Sequence, residues 1–258
     1  MPEWAEVKIS ADYINTNSKE KRFTKLFHVE KGNIAIEDTL FKDFKISADT
    51  NGKELLLSIK ENNKELPIHV FMGMNGGWKY IQTNDWNLTK FVRLRLDDET
   101  GNSLILYGGY MGPKYSVGKP FTGTKRGPDP VKNFELFKQN ILNNLNKKAF
   151  DKPVYETLLN QEYFNGIGNY LRSTILYYLD ENPFVDARTI IEKRPDILEL
   201  CKDIPLTAYK LNGGQLRDWE NPFEKDSTEF DEWVFYQKGE SIKDSNNRTF
   251  WYNKKWKQ

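Results

Sequence analysis

Cysteine is nearly absent from this sequence: Cys201 stands alone among 258 residues. One thiol closes no internal disulfide, and with only His28 and His69 beside it the usual zinc set of cysteines and histidines cannot be assembled. Cys201 lies at helical spacing with Ile197, Leu198, Leu200 and Ile204, so it reads as a core residue rather than a reactive thiol. Long apolar runs are missing as well. Stretches such as LILY at 104–107 fall far short of the roughly 20 residues a membrane helix requires. The first residues lack the basic, apolar and small-residue zones of a signal peptide. An intracellular address is the expectation, in cytoplasm, nucleoid or nucleus according to the source, with no membrane partner. Net charge is also lacking: at +1 it excludes a uniformly basic surface and leaves room only for local asymmetry.

The asymmetry is at the C-terminus. Between 238 and 257, six basic residues (Lys238, Lys243, Arg248, Lys254, Lys255, Lys257) face two acidic ones (Glu240, Asp244), a local balance of +4. Phe250, Trp251, Tyr252 and Trp256 interleave these charges, which a solubilising tail alone would not need.

From about 25 to 118 the chain reads as β-structure, a sandwich or barrel-like half. In FVRLRL apolar and basic residues alternate at period two, and DETGN supplies the turn back into LILY. Ahead of it, Val7, Ile9 or Ala11 and Ile14 can share one side of a helix. The run KPFTGTKRGPDP at 119–130 is dense in breakers and marks a linker. Beyond it the period changes. Phe134, Phe137, Ile141, Leu142 and Leu145 recur at helical spacing, PVYETLLNQ is a short helix begun by Pro153, and YLRSTILYYL is a third helix. RTIIEKRPDILELCKDI and LTAYKLNG read as further helices, and WVFYQKGESIKDSNNRTFWYNKKW as two strands around a turn at KDSNN.

Two short stretches carry chemistry. The chain opens MPEWAEV. A proline near a terminus is ordinary, but Met1 is removed before a small residue such as Pro2, leaving a secondary amine. With an ordinary pKa of about 7.7–8.0, an α-amino group is partly unprotonated and nucleophilic near neutrality. Glu3 sets a carboxylate beside it. In FNGIGNYLRSTILY at 164–177, two glycines bracket Ile167 and Asn169 stands where a helix starts. Backbone N–H groups and the positive end of the helix dipole converge there, a place for an anion such as a phosphate; plain helix capping is the simpler alternative.

The stretch KKAFDKPVYETLLNQEYFNGIGNYLRSTILYYLDENPF resembles the helix–two-turn–helix element of the formamidopyrimidine-DNA glycosylase and endonuclease VIII (Fpg/Nei) family, in particular its Nei-like group, and the likeness extends back through RGPDP at 126–130. Pro2 and Glu3 match the family's mature N-terminus, and Glu6 fits its opening pattern. NGKELLLSI at 51–59 is similar to the strand carrying an active-site lysine, here Lys53. MGMNG at 72–76 is similar to the loop whose residue fills the hole left by an extruded base, here Met74. NRTFWY at 247–252 is similar to the C-terminal hairpin, with Arg248 as its phosphate-gripping arginine.

The resemblance implies an α+β fold in two domains: an N-terminal β-sandwich catalytic domain flanked by helices over 1–118, a linker at 119–132, a helix–two-turn–helix DNA-binding domain over 133–230, and a zincless β-hairpin finger over 231–258. It implies a bifunctional DNA glycosylase/AP lyase of base excision repair acting on oxidised bases, oxidised pyrimidines and hydantoins foremost. Pro2 would attack C1′ of the deoxyribose to give a Schiff base, followed by β- or β,δ-elimination, with Glu3 moving protons and Lys53 orienting phosphate. Asn169, Gly168, Arg248 and Glu6 would face DNA, and Met74, Tyr110 and Met111 would fill the void. No cofactor and no metal are implied. The expected partner is damaged double-stranded DNA, with single-stranded or bubble DNA as a further form, bound by a monomer. An 8-oxoguanine- or formamidopyrimidine-directed enzyme and a catalytically silent DNA-binding homologue are the alternatives.

Two departures qualify the match. Trp4 and Ala5 follow Glu3 where the family usually has Gly-Pro or Leu-Pro, so the indole either narrows the pocket or packs on the sheet. Tyr110 and Gly112, with Met111 between, stand where the family's void-filling arginine and phenylalanine are expected.

Overall fold

The computed structural model describes residues 1–30, 34–121, 125–214 and 219–257. The chain divides into two units, one of Met1–Pro2, Glu6–Thr122 and Asn212–Asp226, the other of Glu3–Ala5, Gly123–Leu211 and Ser227–Gln258. The middle of the expected linker, 122–124, lies outside the described residues. The architecture is α+β, with two antiparallel sheets in the first unit and helices in the second.

The chain enters on α1 (Trp4–Ser18), and the expected stripe is present: Val7, Ala11 and Ile14 are all buried in the first unit's core. Among the described residues nine strands follow: β1 (Phe23–Glu30), β2 (Ile34–Asp38), β3 (Lys45–Asn51), β4 (Glu54–Glu61), β5 (Lys64–Phe71), β6 (Gly77–Gln82), β7 (Val92–Asp98), β8 (Asn102–Tyr107) and β9 (Lys114–Val117). They form a five-stranded sheet, β2-β1-β7-β8-β6, and a four-stranded one, β3-β4-β5-β9. Period-two alternation sets the register. Leu55, Leu57 and Ile59 oppose Val70, Ile68 and Leu66, putting their apolar side chains on one face. That face and the inner residues Leu26, Leu94, Leu96, Leu104 and Leu106 of the other sheet make one core, each buried side chain contributing about 1.5–3 kcal/mol.

The DETGN turn forms as expected between β7 and β8: the Asp98 carboxylate accepts the N–H groups of Thr100 and Asn102, and Gly101 supplies φ +82°. The alternation in FVRLRL does not send both arginines to solvent. Arg95 is 9% exposed, bonded to Asp97 at 2.8 Å and stacked on Phe27 and Trp86, so aromatic faces and a carboxylate replace water around its charge.

The second unit contains α2 (Phe134–Leu142), α3 (Val154–Thr157), α4 (Asn169–Leu179), α5 (Ala187–Lys193), α6 (Ile197–Lys210), α7 (Thr228–Trp233) and the hairpin β10 (Glu240–Lys243) and β11 (Thr249–Tyr252). Phe137, Phe150 and Phe164 form its aromatic centre. Three expectations need correction. The segments read as RTIIEKRPDILELCKDI and LTAYKLNG break instead at 194–196 and then run as the single helix α6 through Pro205. That proline cannot donate to the Cys201 carbonyl, but the burial of Ile204, Pro205 and Ala208 keeps the helix together. Trp233 ends a helical turn, so the hairpin starts later than 231. Residues 212–226, expected within the helical domain, group with the first unit.

Candidate active site and nucleic-acid interface

In the first unit, Pro2 is buried behind the half-exposed Met1. Lys53 lies in the two-residue turn joining β3 to β4, not within the strand: Asn51 pairs with Glu54, and Gly52 takes φ +60° at the position where such a turn requires it. The turn lifts the Lys53 side chain out of the alternating strand pattern and leaves it half-buried. The three void-filling candidates come together on two adjoining loops. Met74 donates its N–H to the Met111 carbonyl at 2.7 Å, and Gly109 donates to Asn75 Oδ1 at 3.0 Å. The backbones approach so closely that a Cβ on Gly73, at φ +70°, would lie 2.3 Å from the Gly112 oxygen. Tyr110 is 98% exposed at the tip and Met111 is half exposed. The Glu6 side chain is fully buried and accepts the Gly214 N–H at 3.1 Å, so in this structure it braces that loop.

The second unit holds Glu3 and Trp4. Glu3, 3% exposed, accepts the N–H of Tyr170 on one carboxylate oxygen (3.0 Å) and of Leu171 on the other (3.2 Å). The N-terminus of α4 is thus an anion site, as its sequence suggested, but the anion there is the chain's own carboxylate rather than a phosphate. Trp4 is 2% exposed, its indole N–H is shared between the two Asp129 carboxylate oxygens at 3.0 and 2.9 Å, and its ring meets Tyr209 edge-on.

Asn169 and Arg248 are joined through two residues the sequence reading passed over. Asn169 does not cap its helix. Its amide nitrogen donates to the Thr249 carbonyl at 2.8 Å, and its oxygen accepts from Arg172 Nη2 at 2.6 Å. Arg172 Nη1 donates to Asp244 Oδ2 at 3.0 Å and to the Tyr155 carbonyl at 3.1 Å, with its guanidinium over the Phe250 ring. Arg248 Nε donates to the same Asp244 oxygen at 2.9 Å while its side chain remains 45% exposed. Burial pushes the Asp244 carboxyl up, but the N–H groups of Arg248 and Asn246 and the charges of Arg172 and Arg248 outweigh it, and the net shift is downward. Gly168 precedes α4, and its carbonyl accepts the Arg172 N–H.

The hairpin bears neither cysteine nor histidine, so its residues do not fit the zinc ion the wider family places there. Aromatic packing organises it instead. Phe250 stacks on Tyr155 with centroids 4.7 Å apart, Phe184 meets Tyr252 edge-on, and Ser245 bonds Glu156 through both N–H and hydroxyl. Two signals pointed to the missed pair: Arg172 is the one charge in YLRSTILYYL, and Asp244 the one acid in KDSNNR. Cys201 is in the α6 core as read, and burial pushes its thiol pKa up.

Among the described residues no helix is long and apolar enough to cross a membrane. No protein-family profile matches the chain. Endonuclease 8-like 1 of Homo sapiens is 30% identical over 98% of this chain and 72% of its own length, and Endonuclease 8 of Enterobacter sp. (strain 638) is 25% identical over 83% and 81%. Among solved structures, a Lactococcus lactis Fpg variant in complex with a Fapy-dG containing DNA superposes with a TM-score of 0.80 over the whole of both chains, at 17% identity. MutM (Fpg) from Thermus thermophilus does so with 0.76, at 18% identity, over 96% of this chain and 97% of its own. A likeness to endonuclease 8-like 1 that runs nearly the full length of the chain, on an Fpg fold, makes this protein a member of the Fpg/Nei family.

Proposed function

We propose that this protein is a bifunctional DNA glycosylase and AP lyase of base excision repair that removes oxidised bases, oxidised pyrimidines and hydantoins foremost, through a Schiff base on Pro2. Once Met1 is gone, the Pro2 nitrogen attacks C1′ as the bond from C1′ to the base breaks and the base leaves with that electron pair. Opening of the sugar ring at O4′ gives an iminium, which is cationic without losing a further proton and so accepts the electrons of elimination. Removal of a proton from C2′ expels the 3′ phosphate and cuts the strand.

The observation that supports this reading most is the placement of Glu3. The carboxylate next to Pro2 is held by two backbone N–H groups at the start of α4, which orients a proton carrier for ring opening and elimination. Lys53 orients phosphate beside the sugar, Asn169 and Arg248 grip flanking phosphates, and Met74, Met111 and the exposed Tyr110 enter the space vacated by the extruded nucleotide. Damaged duplex is the substrate, single-stranded and bubble DNA are secondary forms, and a monomer suffices. The catalytically silent alternative draws on Trp4 and on the altered void-filling loop; the burial of the indole against Asp129 speaks against the first ground, and the second stays with the base-release test.

Base release from duplexes carrying a thymine glycol, a hydantoin or 8-oxoguanine, each opposite all four bases, tests the proposal. The pyrimidine and hydantoin lesions should be released fastest, with strand cleavage following. Preferential release of 8-oxoguanine would assign the protein to purine lesions instead.

A further inference from the structure

Four interactions converge on the dipeptide that follows Pro2. Both Glu3 oxygens accept N–H groups of α4, the Trp4 N–H donates to the Gly166 carbonyl at 3.2 Å, and the Trp4 indole N–H is shared by the two oxygens of Asp129. The last is unusual in its burial. Trp4 is 2% exposed and Asp129 fully buried, and Asp129 Oδ1 also accepts the N–H groups of Val131 at 2.8 Å and Lys132 at 3.0 Å. Asp129 is therefore a fixed post built into its own turn.

Glu3 has three rotatable side-chain bonds, and its reach depends on where its backbone is held. The Gly166 contact fixes that backbone at the first residue of α1. Gly166 itself sits at φ +89°, in a turn that relies on the Gln161 side chain. A second anchor, on the next side chain, prevents the Glu3–Trp4 peptide from rotating about the first. The Trp4–Asp129 bond is that anchor, and Tyr209 packs against the indole in a T-shaped contact.

We propose that Trp4 is a positioning residue: its indole N–H, shared by the Asp129 carboxylate, fixes the Glu3–Trp4 backbone and thereby the seat of the Glu3 carboxylate on α4. Trp4 touches no substrate. The proposal rests on the reading of Glu3 as the proton carrier, and it extends the active site to a residue pair at positions 4 and 129.

Trp4→Phe removes the donor and keeps an aromatic ring, and Asp129→Asn approaches the same bond from the other side. Two readouts separate the possibilities. The first is amide exchange at Tyr170 and Leu171, which reports the seating of Glu3 without any chemistry. Both amides should exchange about tenfold faster in each variant, while amides of the α6 core keep their protection. In the unaltered protein, the Trp4 indole N–H and these two amides should open with the same free energy, a test that needs no variant. The second is the single-turnover rate of borohydride trapping on a duplex with one abasic site. It should fall about 10- to 100-fold, as for a lost hydrogen bond to a charged group, with duplex affinity held within about threefold. The double variant should lose no more than either single one.

Unchanged exchange at Tyr170 and Leu171, or separate opening of the indole and these amides, would overturn the positioning role. So would a trapping rate equal to that of the unaltered protein. Failure of the unaltered protein to trap at all would instead refute the Schiff-base reading, and the exchange data would still decide whether Trp4 seats Glu3.

Discussion

Arg172 and Asp244 form an ion pair at 3.0 Å in which neither side chain has any solvent exposure. One comes from α4 and the other from the turn between β10 and β11, so the pair ties the hairpin to the helix that presents Asn169. Removing Arg172 leaves the buried Asp244 charge to the half-exposed Arg248 alone, and removing Asp244 leaves the buried Arg172 without its carboxylate. Arg172→Met should therefore destabilise the second unit by about 3–5 kcal/mol, and adding Asp244→Leu should recover much of the loss. Urea unfolding followed by tryptophan fluorescence measures both. A single variant within about 1 kcal/mol of the unaltered protein, on the order of a surface pair, would contradict the role given to this contact.

The same carboxylate gives a pH dependence whose sign is fixed by its shift. Asp244 titrates lower in the folded protein than in the unfolded chain, where an aspartate has a pKa of about 3.9. Its stabilising contribution is therefore complete above that value and is lost as the pH falls from about 4 through the folded pKa. Melting temperatures between about pH 6 and pH 3 should decline more steeply for the unaltered protein than for Asp244→Asn, which starts lower and varies less. Parallel curves would remove Asp244 from the acid response.

Arg248 shares Asp244 but keeps 45% of its side chain exposed, so its removal should affect DNA more than folding. Arg248→Ala should weaken duplex binding and flatten the dependence of log K on log salt by about one unit, because one phosphate contact is lost. Titrations at several salt concentrations provide the slope, and an unchanged slope would take Arg248 out of the interface.

The loops bearing Met74 and Met111 depend on glycine at their point of contact. A methyl group at Gly73 has no room beside the Gly112 carbonyl, and φ +70° disfavours any side chain. Gly73→Ala should cost about 1–3 kcal/mol and part the Met74–Met111 hydrogen bond. Duplexes with an abasic-site analogue should then bind more weakly, while nonspecific duplex binding stays the same. Equal loss on both would mean that the loops do not enter the void.

Much of the fold was legible because period and punctuation agree. Period-two strands, the DETGN turn and the helix at 169–179 form where the residues indicate, while the stripe read over 134–145 forms a helix only to Leu142, with Phe137 and Ile141 its buried members. What was not legible depended on partners distant in sequence. Nothing local shows that Arg95 will find Phe27 and Trp86, that Pro205 will be carried inside a helix by the burial around it, or that 212–226 will return to the first unit. The site divides in the same way. Pro2, Glu3, Lys53, Asn169 and Arg248 are proposed from motifs, whereas the contacts of Trp4 with Asp129, 125 positions away, and of Arg172 with Asp244, 72 away, are disclosed only by the folded chain. The glycines and the helix start at 169 mark a place where N–H groups converge; that the Glu3 carboxylate accepts two of them is a tertiary fact.

The reaction proposed for this protein joins the amine of Pro2 covalently to the sugar. Borohydride trapping on a duplex with one abasic site measures this directly, with the unaltered protein compared with Pro2→Gly and with a form extended ahead of Pro2. The expected result is a covalent complex whose peptide adduct maps to Pro2, formed by the unaltered protein and abolished by the extension. Tight duplex binding with verified loss of Met1 and no trapped complex would contradict it.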